Sequence, residues 1–323
     1  MSVEPLRVGV IMDPIEAIKP QKDSTLAMLL AAARRGWRLY YMQLDDLQLL
    51  DGQASATVRQ LEVQDDTRRW WSLSDPDHIP LNQLDVILMR KDPPFDIEYV
   101  FTTYILERAA IDGVLVVNDP RSLRDISEKA FTAWFPELCP ATMISRDMNR
   151  LREFALRYDR AVAKPLDGMG GKSIFVMSRE DQNNSVILET LTDHGKRFTV
   201  LQEYIAAIAQ EGDTRVLLID GKAVPYGLAR IPAKGELRGN LAAGGRGVGR
   251  PLTDAEFEIC ARVGPELKAR GILFAGLDVI GGKLTEINVT SPTCIRELDA
   301  QFGLDIAGDL MQVIADRRGH ASS

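Results

Sequence analysis

The chain has 323 residues, enough for two or three packed units rather than a single hydrophobic core. Hydrophobic residues make up 45% and charged residues 26%, which are values of a globular protein and exclude a disordered or fibrous chain. Lysine and arginine total 39 against 46 aspartate and glutamate residues, and the net charge of −7 argues against a nucleic-acid backbone as partner.

The cysteines and the apolar segments indicate a compartment. Cys139, Cys260 and Cys294 are odd in number and far apart, and they match neither a disulfide framework nor a metal-ligand spacing. The segment Met1–Pro14 lacks the basic start and long apolar core of a signal peptide. The longest apolar stretch elsewhere, Leu26–Ala33, is far shorter than the roughly 20 residues that span a bilayer. We therefore expect a cytoplasmic protein with no membrane partner.

The first third of the chain alternates strand-like apolar runs with helical periodicity. A helix is predicted over Leu26–Arg35, with Asp23 or Ser24 to cap its first N–H groups and Gly36 to end it. This alternation is typical of a parallel sheet that binds ligands at the carboxyl ends of its strands. The predicted strands are Arg7–Met12, Trp37–Gln43, Asp85–Lys91 and Val114–Val117, and the second predicted helix is Ile97–Ala110.

A second unit is predicted to begin where prolines interrupt two short helical patterns, at Pro120–Lys129 and Pro136–Pro140. Further on, Asp220-Gly221 is a strong hairpin signal between two strand-like runs. The segment Gly235–Gly249 contains six glycines and few apolar residues, so we expect a mobile loop there. Helices are predicted at Asp147–Tyr158, Val186–Asp193, Asp254–Arg270 and Asp305–Arg318, and strands at Ala161–Lys164, Ser173–Met177, Thr199–Tyr204, Arg215–Ile219, Lys222–Leu228, Phe274–Ile280 and Lys283–Val289.

A glycine-rich segment, Lys164–Ser173, follows one of these strands. Glycines let backbone N–H groups approach phosphate oxygens, and a nearby lysine neutralises their charge. An ordinary turn beside a surface lysine is the alternative for an isolated glycine loop. A P-loop is excluded because the position that requires glycine is Leu166, and a dinucleotide fingerprint is excluded because Asp13-Pro14 follows the first strand.

A second group of polar residues lies on the last predicted hairpin. Glu286 and Asn288 are two residues apart, so they project to one face and offer the oxygen ligands that Mg²⁺ prefers. A solvent-facing polar stripe is the alternative, but the apolar flanking residues would bury these groups, and a buried carboxylate needs a partner. Asp278 shares their face only if the connection contains an odd number of residues. We therefore predict a loop at Gly281–Lys283 with a bulge.

Taken in order, these elements resemble the ATP-grasp fold. The elements are Lys129, Lys164 with Gly168–Gly171, Gln202–Ile205, Asp278 and Glu286-x-Asn288. Within that superfamily, the segments that resemble bacterial glutathione synthetases are Met12–Pro14, Met89–Asp96, Asp167–Gly171, Asn240–Gly247 and Thr285–Glu297.

The resemblance implies an α/β fold, with an N-terminal parallel-sheet (pre-ATP-grasp) domain followed by an ATP-grasp fold of two α+β subdomains. The implied units are a substrate-binding domain over 1–123, a lid subdomain over 124–204 and a catalytic subdomain over 205–323. The implied activity is ATP-dependent ligation of γ-glutamylcysteine and glycine through an acyl phosphate, giving glutathione, ADP and phosphate. Mg²⁺, or Mn²⁺ in its place, is the implied cofactor.

Two alternatives remain open at the level of sequence. One is another ATP-grasp carboxylate–amine ligase, because the fold alone does not select the acceptor. The other is a catalytically silent nucleotide-binding regulator of the same fold. For partners we expect small-molecule substrates and further copies of the chain in a homo-oligomer, and no nucleic acid.

The resemblance also implies roles for particular residues. ATP contacts are expected from Lys129, Lys164, Gly168, Gly170, Gly171, Glu203, Tyr204, Ile205 and Asp213. The expected metal ligands are Asp278, Glu286 and Asn288, and Arg215 and Arg230 are the expected catalytic charge clamps. Substrate contacts are expected from Asp13, Lys22, Arg90, Arg238 and Asn240. The Gly235–Gly249 loop would close over the acyl phosphate.

Overall fold

A computed structural model describes residues 4–168, 171, 173–233 and 244–321 of the chain. These residues form three β-sheets with helices packed against them. None of the helices in the described ranges is long and apolar enough to cross a bilayer. The predicted site residues Gly170, Arg238 and Asn240 lie outside the described residues.

The first sheet has a parallel centre, as the sequence predicts. Strands β1 (Arg7–Ile11), β2 (Arg38–Met42), β7 (Val86–Met89) and β8 (Leu115–Val117) pair in parallel in the order β2-β1-β7-β8. An antiparallel extension, which the sequence analysis did not predict, continues this sheet beyond β2. It consists of β3 (Leu47–Leu50), β4 (Gln53–Val63), β5 (Trp71–Leu73) and β6 (Asp77–Pro80).

The helices of this layer begin at side-chain caps. Helix α1 (Ser24–Arg34) begins after Asp23, whose Oδ1 accepts a hydrogen bond from the Leu26 N–H at 2.6 Å, and Gly36 follows it with φ +73°. This is the predicted pattern of an acidic N-cap and a left-handed glycine at the end. The other helices here are α2 (Ile97–Ile111) and α3 (Pro120–Asp125), and short 3₁₀ turns lie at Ile15–Ala17, Leu44–Asp46, Leu81–Gln83, Ala130–Trp134 and Pro136–Leu138.

The second sheet is small and antiparallel. Its strands β9 (Thr142–Ser145), β10 (Arg160–Pro165), β11 (Phe175–Ser178) and β12 (Thr199–Glu203) have the order β11-β10-β12-β9. Helices α4 (Met148–Ala155) and α5 (Asn184–Thr192) pack on one face of this sheet. They enclose a separate hydrophobic core that includes Leu151, Phe154, Leu188 and Leu201.

The third sheet is also antiparallel, with the order β15-β14-β13-β16-β17. The hairpin predicted at Asp220-Gly221 is confirmed, because both residues have positive φ, 49° and 78°, as a two-residue hairpin turn requires. The strands are β13 (Asp213–Ile219), β14 (Lys222–Ile231), β15 (Arg246–Pro251), β16 (Phe274–Ile280) and β17 (Lys283–Asn288), and the helices are α6 (Ile208–Glu211), α7 (Asp254–Ala269), α8 (Ile295–Phe302) and α9 (Ile306–Ala321).

The prediction of a mobile loop at Gly235–Gly249 is wrong for the last residues of that segment. Residues 234–243 lie outside the described ranges, but Arg246–Pro251 forms strand β15, paired antiparallel with β14. A Cβ at Gly249 would collide with the ring of Phe302, and a Cβ at Gly247 would press on Leu228 at 3.2 Å. These two glycines therefore permit close packing.

The predicted pairing of Asp278 with Glu286 in the last hairpin is confirmed, but the predicted three-residue loop is wrong. Ile280 pairs with Lys283, so the turn contains only Gly281 and Gly282 rather than the predicted three residues. The register then shifts between Asp278 and Val279, within the strand pair. That bulge restores Asp278 to the position opposite Glu286 and places the two carboxylates on one face.

One buried side chain joins the first sheet to the third. Asn118, directly after β8, is 3% exposed. Its Nδ2 donates to the carbonyl oxygens of Phe274 and Val289 at 2.8 and 2.7 Å, and its Oδ1 accepts from the N–H groups of Leu273 and Phe274 at 2.9 and 3.0 Å. Four bonds from one amide fix the start of β16 against the end of β8, and this holds Asp278 in place relative to the first sheet.

Candidate active site

A cavity of about 340 Å³ lies between the second and third sheets. Strands β10, β11 and β12 supply one wall, and strands β13, β14, β16 and β17 supply the other. All the predicted nucleotide, metal and catalytic residues in the described ranges line it: Lys129, Lys164, Gly168, Gly171, Glu203, Tyr204, Ile205, Asp213, Arg215, Arg230, Asp278, Glu286 and Asn288.

Two lysines bring positive charge into this cavity. Lys129 and Lys164 are only 5% and 8% exposed. The Lys129 Nζ donates to the Gly168 carbonyl oxygen at 2.5 Å, and the Lys164 Nζ lies 3.5 Å from Glu286 Oε1. A buried ammonium group is costly without an anionic partner, and Lys129 has only a neutral oxygen among these contacts. The pair is therefore suited to bind phosphate oxygens.

Part of the cavity lining is apolar. Val162, Val176 and Ile205 line it beside Tyr204. The Arg160 guanidinium lies 3.9 Å from the centroid of the Tyr204 ring and so fixes that ring in place. An apolar lining beside an aromatic ring suits a flat aromatic base.

Asp278 is the centre of a buried charge cluster. Arg215 contacts both of its oxygens, with Nε 2.6 Å from Oδ1 and Nη2 3.2 Å from Oδ2. Arg230 Nη2 lies 3.0 Å from Asp278 Oδ2 and 2.6 Å from Asp213 Oδ2. Burial alone would raise the pKa of Asp278, but Arg215 and Arg230 together hold that pKa well below its usual range. Asp278 is therefore ionised and fixed in position.

The metal face of the third sheet has a donor set that fits Mg²⁺. Asn288 Nδ2 donates to the Gly276 carbonyl oxygen at 3.2 Å, which leaves the side-chain oxygen of Asn288 as an acceptor facing the cavity. Glu286 is opposite Asp278 in the register. No three His, Cys, Asp or Glu side chains in the described ranges form a metal group, since the third donor of this set is an amide. Three hard oxygen donors on one face suit Mg²⁺, which keeps several waters and bridges substrate phosphates.

The predicted substrate residues Asp13, Lys22 and Arg90 do not line the cavity. Lys22 is exposed. Arg90 is 5% exposed, and its guanidinium donates to Thr25 Oγ1 at 3.1 Å and to the Pro292 carbonyl oxygen at 2.9 Å. Arg90 thus holds the segment after β17, which itself lines the cavity.

Asp13 contacts two residues that follow β7, one of which lines the cavity. Its Oδ2 accepts from the Asp92 N–H at 3.0 Å, and its Oδ1 lies 2.8 Å from Lys91 Nζ. Asp92 lines the cavity, so Asp13 orients a lining residue without reaching the interior itself.

Glu128 is a cavity residue that the sequence analysis missed. Its Oε1 accepts from Thr290 Oγ1 at 2.8 Å, and its backbone oxygen accepts from the Ile287 N–H at 2.8 Å. Burial raises the pKa of Glu128, with the Glu286 carboxylate adding to the effect. A single glutamate before Lys129 has no distinguishing spacing, so only the fold reveals that it faces the metal strand.

Two family models match consecutive parts of the chain. Residues 6–124 match the N-terminal domain of prokaryotic glutathione synthetase, and residues 128–303 match the ATP-grasp domain of the same enzyme. The chain belongs to the prokaryotic glutathione synthetase family. This confirms the resemblance, the fold class and the class of enzyme, an ATP-dependent ligase.

Curated relatives and solved structures agree with this family. The chain is 54% identical to the glutathione synthetase of Shewanella oneidensis, over 97% of this chain and 99% of that one. It is likewise 54% identical to the glutathione synthetase of Escherichia coli strain K12, over 97% and 98% of the two chains.

Two solved structures share the fold alone. D-cycloserine synthetase DcsG has a TM-score of 0.68 at 14% identity and covers 97% of this chain and 99% of its own. The ATP-grasp ligase PsnB, complexed with a phosphomimetic variant of minimal precursor, Mg and ADP, has a TM-score of 0.63 at 16% identity, with 96% and 98% covered.

Proposed function

We propose that this chain joins γ-glutamylcysteine to glycine at the expense of ATP, giving glutathione, ADP and phosphate. The observation that carries this function is the 54% identity to curated glutathione synthetases across nearly the whole of both chains. A carboxylate is a poor electrophile at neutral pH, so the dipeptide carboxylate must first accept the γ-phosphoryl group. The glycine amine then attacks the acyl carbon, and phosphate leaves.

The cavity contains groups for each part of ATP. Tyr204, Ile205 and the backbone at Glu203 hold the base in the apolar part of the cavity, and Asp213 reaches the ribose. Lys129 and Lys164 bind the phosphates, joined by the backbone of the glycine loop at Gly168 and Gly171. Because the lysines are buried, their attraction for the transferring phosphoryl group is weakly screened.

Asp278, Glu286 and Asn288 would hold Mg²⁺. When bound, the ion supplies positive charge to the β- and γ-phosphate oxygens and so lowers the barrier to transfer. The Lys164 ammonium lies 3.5 Å from Glu286 Oε1 and so orients this carboxylate.

Arg215 and Arg230 stabilise the negative charge that develops on the acyl phosphate. Both are held by Asp278, so their guanidinium groups are oriented before the substrate binds. The charged ends of the dipeptide are recognised at the edge of the first sheet by Arg90, Asp13 and Lys22. Arg90 acts indirectly, through the segment at Pro292 that it holds. No covalent bond to the protein is needed in this sequence.

The organisation of the chain follows from the same proposal. Residues 1–123 bind the dipeptide, 124–204 cover the nucleotide, and 205–323 carry the metal and the arginines. The three cysteines are free and buried, which fits a reducing compartment such as the cytoplasm. We also propose a homo-oligomer.

An assay of phosphate release tests the proposed substrates. Purified protein is given MgATP with γ-glutamylcysteine and glycine, and each is then omitted in turn. Phosphate release that requires both amino substrates, with glutathione as product, is expected. Release that persists with another acceptor and not with glycine would favour a different ATP-grasp ligase. No release under any condition would favour a silent regulator.

A further inference from the structure

A second cavity of about 220 Å³ adjoins the candidate active site, and it is called here the side pocket. One water needs only roughly 10–15 Å³ of such space, so the side pocket has room for a small molecule. Four residues line both the side pocket and the main cavity: Pro93, Glu128, Gly168 and Thr290. The two cavities are therefore continuous.

The rest of the side pocket is lined mainly by apolar side chains from three parts of the chain. Phe95 follows β7, Ile126 follows α3, and Leu166 follows β10. Ser127 adds a hydroxyl group, whose oxygen accepts the Ala130 N–H at 3.4 Å and whose O–H has no acceptor among the described residues. No lysine or arginine of the described ranges lines the side pocket. It therefore suits a small substrate better than a phosphorylated one.

Glu128 lies at the junction of the two cavities and has one oxygen to spare. Its Oε1 accepts from Thr290 Oγ1 at 2.8 Å, whereas its Oε2 has no hydrogen-bond partner in the part of the chain that the structure describes. The carboxylates of Asp278 and Glu286 lie no more than 3.5 Å from arginine or lysine nitrogens. Glu128 forms no such ion pair within the described ranges. Because a buried acceptor needs a partner, its Oε2 is suited to the N–H groups of a substrate.

We propose that the side pocket holds the acceptor amino acid and that Glu128 Oε2 binds its amino group. This inference rests on the proposed function, in which glycine attacks the acyl phosphate. The amino group then lies at the junction and faces the main cavity, while the carboxylate lies inside the side pocket within reach of the Ser127 hydroxyl. Holding the nitrogen in one place raises its effective concentration at the acyl carbon. The nitrogen bonds to that carbon, the C–O bond breaks with its electron pair on phosphate, and the surplus proton of the nitrogen passes to solvent.

Glu128→Gln in the full chain tests the contact with the amino group. Glutamine fills the same volume and keeps the backbone contacts, but it lacks the charge. The KM for glycine is expected to rise roughly 10–100-fold, as for the loss of a hydrogen bond to a charged group. The KM values for ATP and γ-glutamylcysteine should stay at those of the wild type. Initial rates of phosphate release, with one substrate varied at a time, give the three constants.

Ser127→Leu tests the side pocket itself. Ser127 lines the side pocket and not the main cavity, so a leucine there narrows the side pocket alone. The same selective rise in the KM for glycine is expected. The matched control is Glu137→Gln, because Glu137 lies outside both cavities and pairs with Arg262 at 2.6 Å. This control should leave all three KM values unchanged.

The outcomes separate this inference from the proposed function. If the wild type requires glycine for phosphate release, an unchanged KM for glycine in either variant would overturn the inference alone. A parallel change of all three KM values in Glu128→Gln would also overturn it, because that result indicates a displaced metal strand, which the Glu128 backbone oxygen contacts at Ile287. Phosphate release by the wild type that does not depend on glycine would overturn the proposed function and this inference together.

Discussion

At the scale of single residues, Asp278 and Glu286 face the same cavity but differ in their surroundings. The Asp278 side chain is 5% exposed and is held by two arginines, whereas the Glu286 side chain is 19% exposed and has a lysine at 3.5 Å. Asp278 belongs to a charge cluster formed by folding. Glu286 keeps an oxygen available for a ligand.

Asp278→Asn should therefore reduce both stability and activity. It leaves Arg215 and Arg230 buried without their shared carboxylate, and removing one partner of a buried ion pair costs about 3–5 kcal/mol. The free energy of unfolding, measured with urea, should fall by about this amount. The pKa of Asp278 lies below its unfolded value, so its contribution is fully present above an unfolded pKa of 3.8 and is lost as pH falls through the folded pKa. The destabilisation should accordingly be constant near neutral pH and shrink in acid.

Glu286→Gln is the matched control, because an amide fills the same volume without the anionic oxygen. Its free energy of unfolding should stay close to that of the wild type, while turnover at saturating Mg²⁺ should be largely lost. Two variants of equal stability would contradict the difference between the two carboxylates. Normal turnover of Glu286→Gln would remove Glu286 from the metal set.

At the scale of secondary-structure elements, a close backbone contact positions the β13–β14 hairpin. A Cβ at Gly264, in the middle of α7, would collide with the carbonyl oxygen of Gly221 in the hairpin turn. Gly264→Ala should therefore push α7 from the third sheet and cost about 1–3 kcal/mol, measured as a lower midpoint of thermal unfolding.

Gly319→Ala in α9 provides the control for this helix substitution. Gly319 is exposed, and a Cβ there would meet no atom within 4 Å. Because alanine favours the helix by up to about 1 kcal/mol over glycine, this variant should unfold at the wild-type temperature or above it. If Gly264→Ala behaved in the same way, the close contact with Gly221 would have no energetic importance.

The sequence predicted those elements whose burial leaves a clear periodic pattern. Strand β7 is buried at every residue and reads as an apolar run, whereas β4 has only a partial alternation of buried and exposed residues. Strand β15 was not predicted, because its glycines suggested a flexible loop. In the structure these glycines allow close contact with side chains of β14 and α8. Helix α8 was not predicted either. Such contacts join distant segments and have no local signature.

At the scale of the whole molecule, the candidate site is assembled from segments far apart in the chain. The motifs predicted which residues contribute to it, but not that Asp278 would be held by Arg215 and Arg230 from two other strands. The roles of Arg90 and Glu128 were also beyond the sequence, because each depends on contacts with residues more than 150 positions away. The geometry of the site also depends on the hydrogen bonds by which Asn118 connects the first sheet to the third.

The arrangement in the cavity favours transfer of the γ-phosphoryl group, because Lys164 lies 3.5 Å from Glu286, and Glu286 pairs across the strands with Asp278, which Arg215 and Arg230 hold. Direct attack of an amine on a carboxylate fails, since oxide is too basic to leave, so one carboxylate oxygen must depart on phosphorus. Attack at the α- or β-phosphorus would instead release pyrophosphate or AMP.

Heavy-oxygen labelling of both oxygens of the cysteinyl carboxylate of γ-glutamylcysteine distinguishes these routes. If that carboxylate attacks the γ-phosphorus, the C–O bond breaks when the glycine nitrogen attacks the acyl carbon, and one labelled oxygen leaves with the phosphate. Mass spectrometry should therefore find one label in each phosphate, one label retained in glutathione, and ADP formed in equal amount. Incubation without glycine is the control, because the acyl phosphate then has no acceptor and labelled phosphate should form only slowly. Unlabelled phosphate, or AMP formed in step with glutathione, would contradict γ-phosphoryl transfer, since neither product arises when the carboxylate oxygen leaves on the γ-phosphorus.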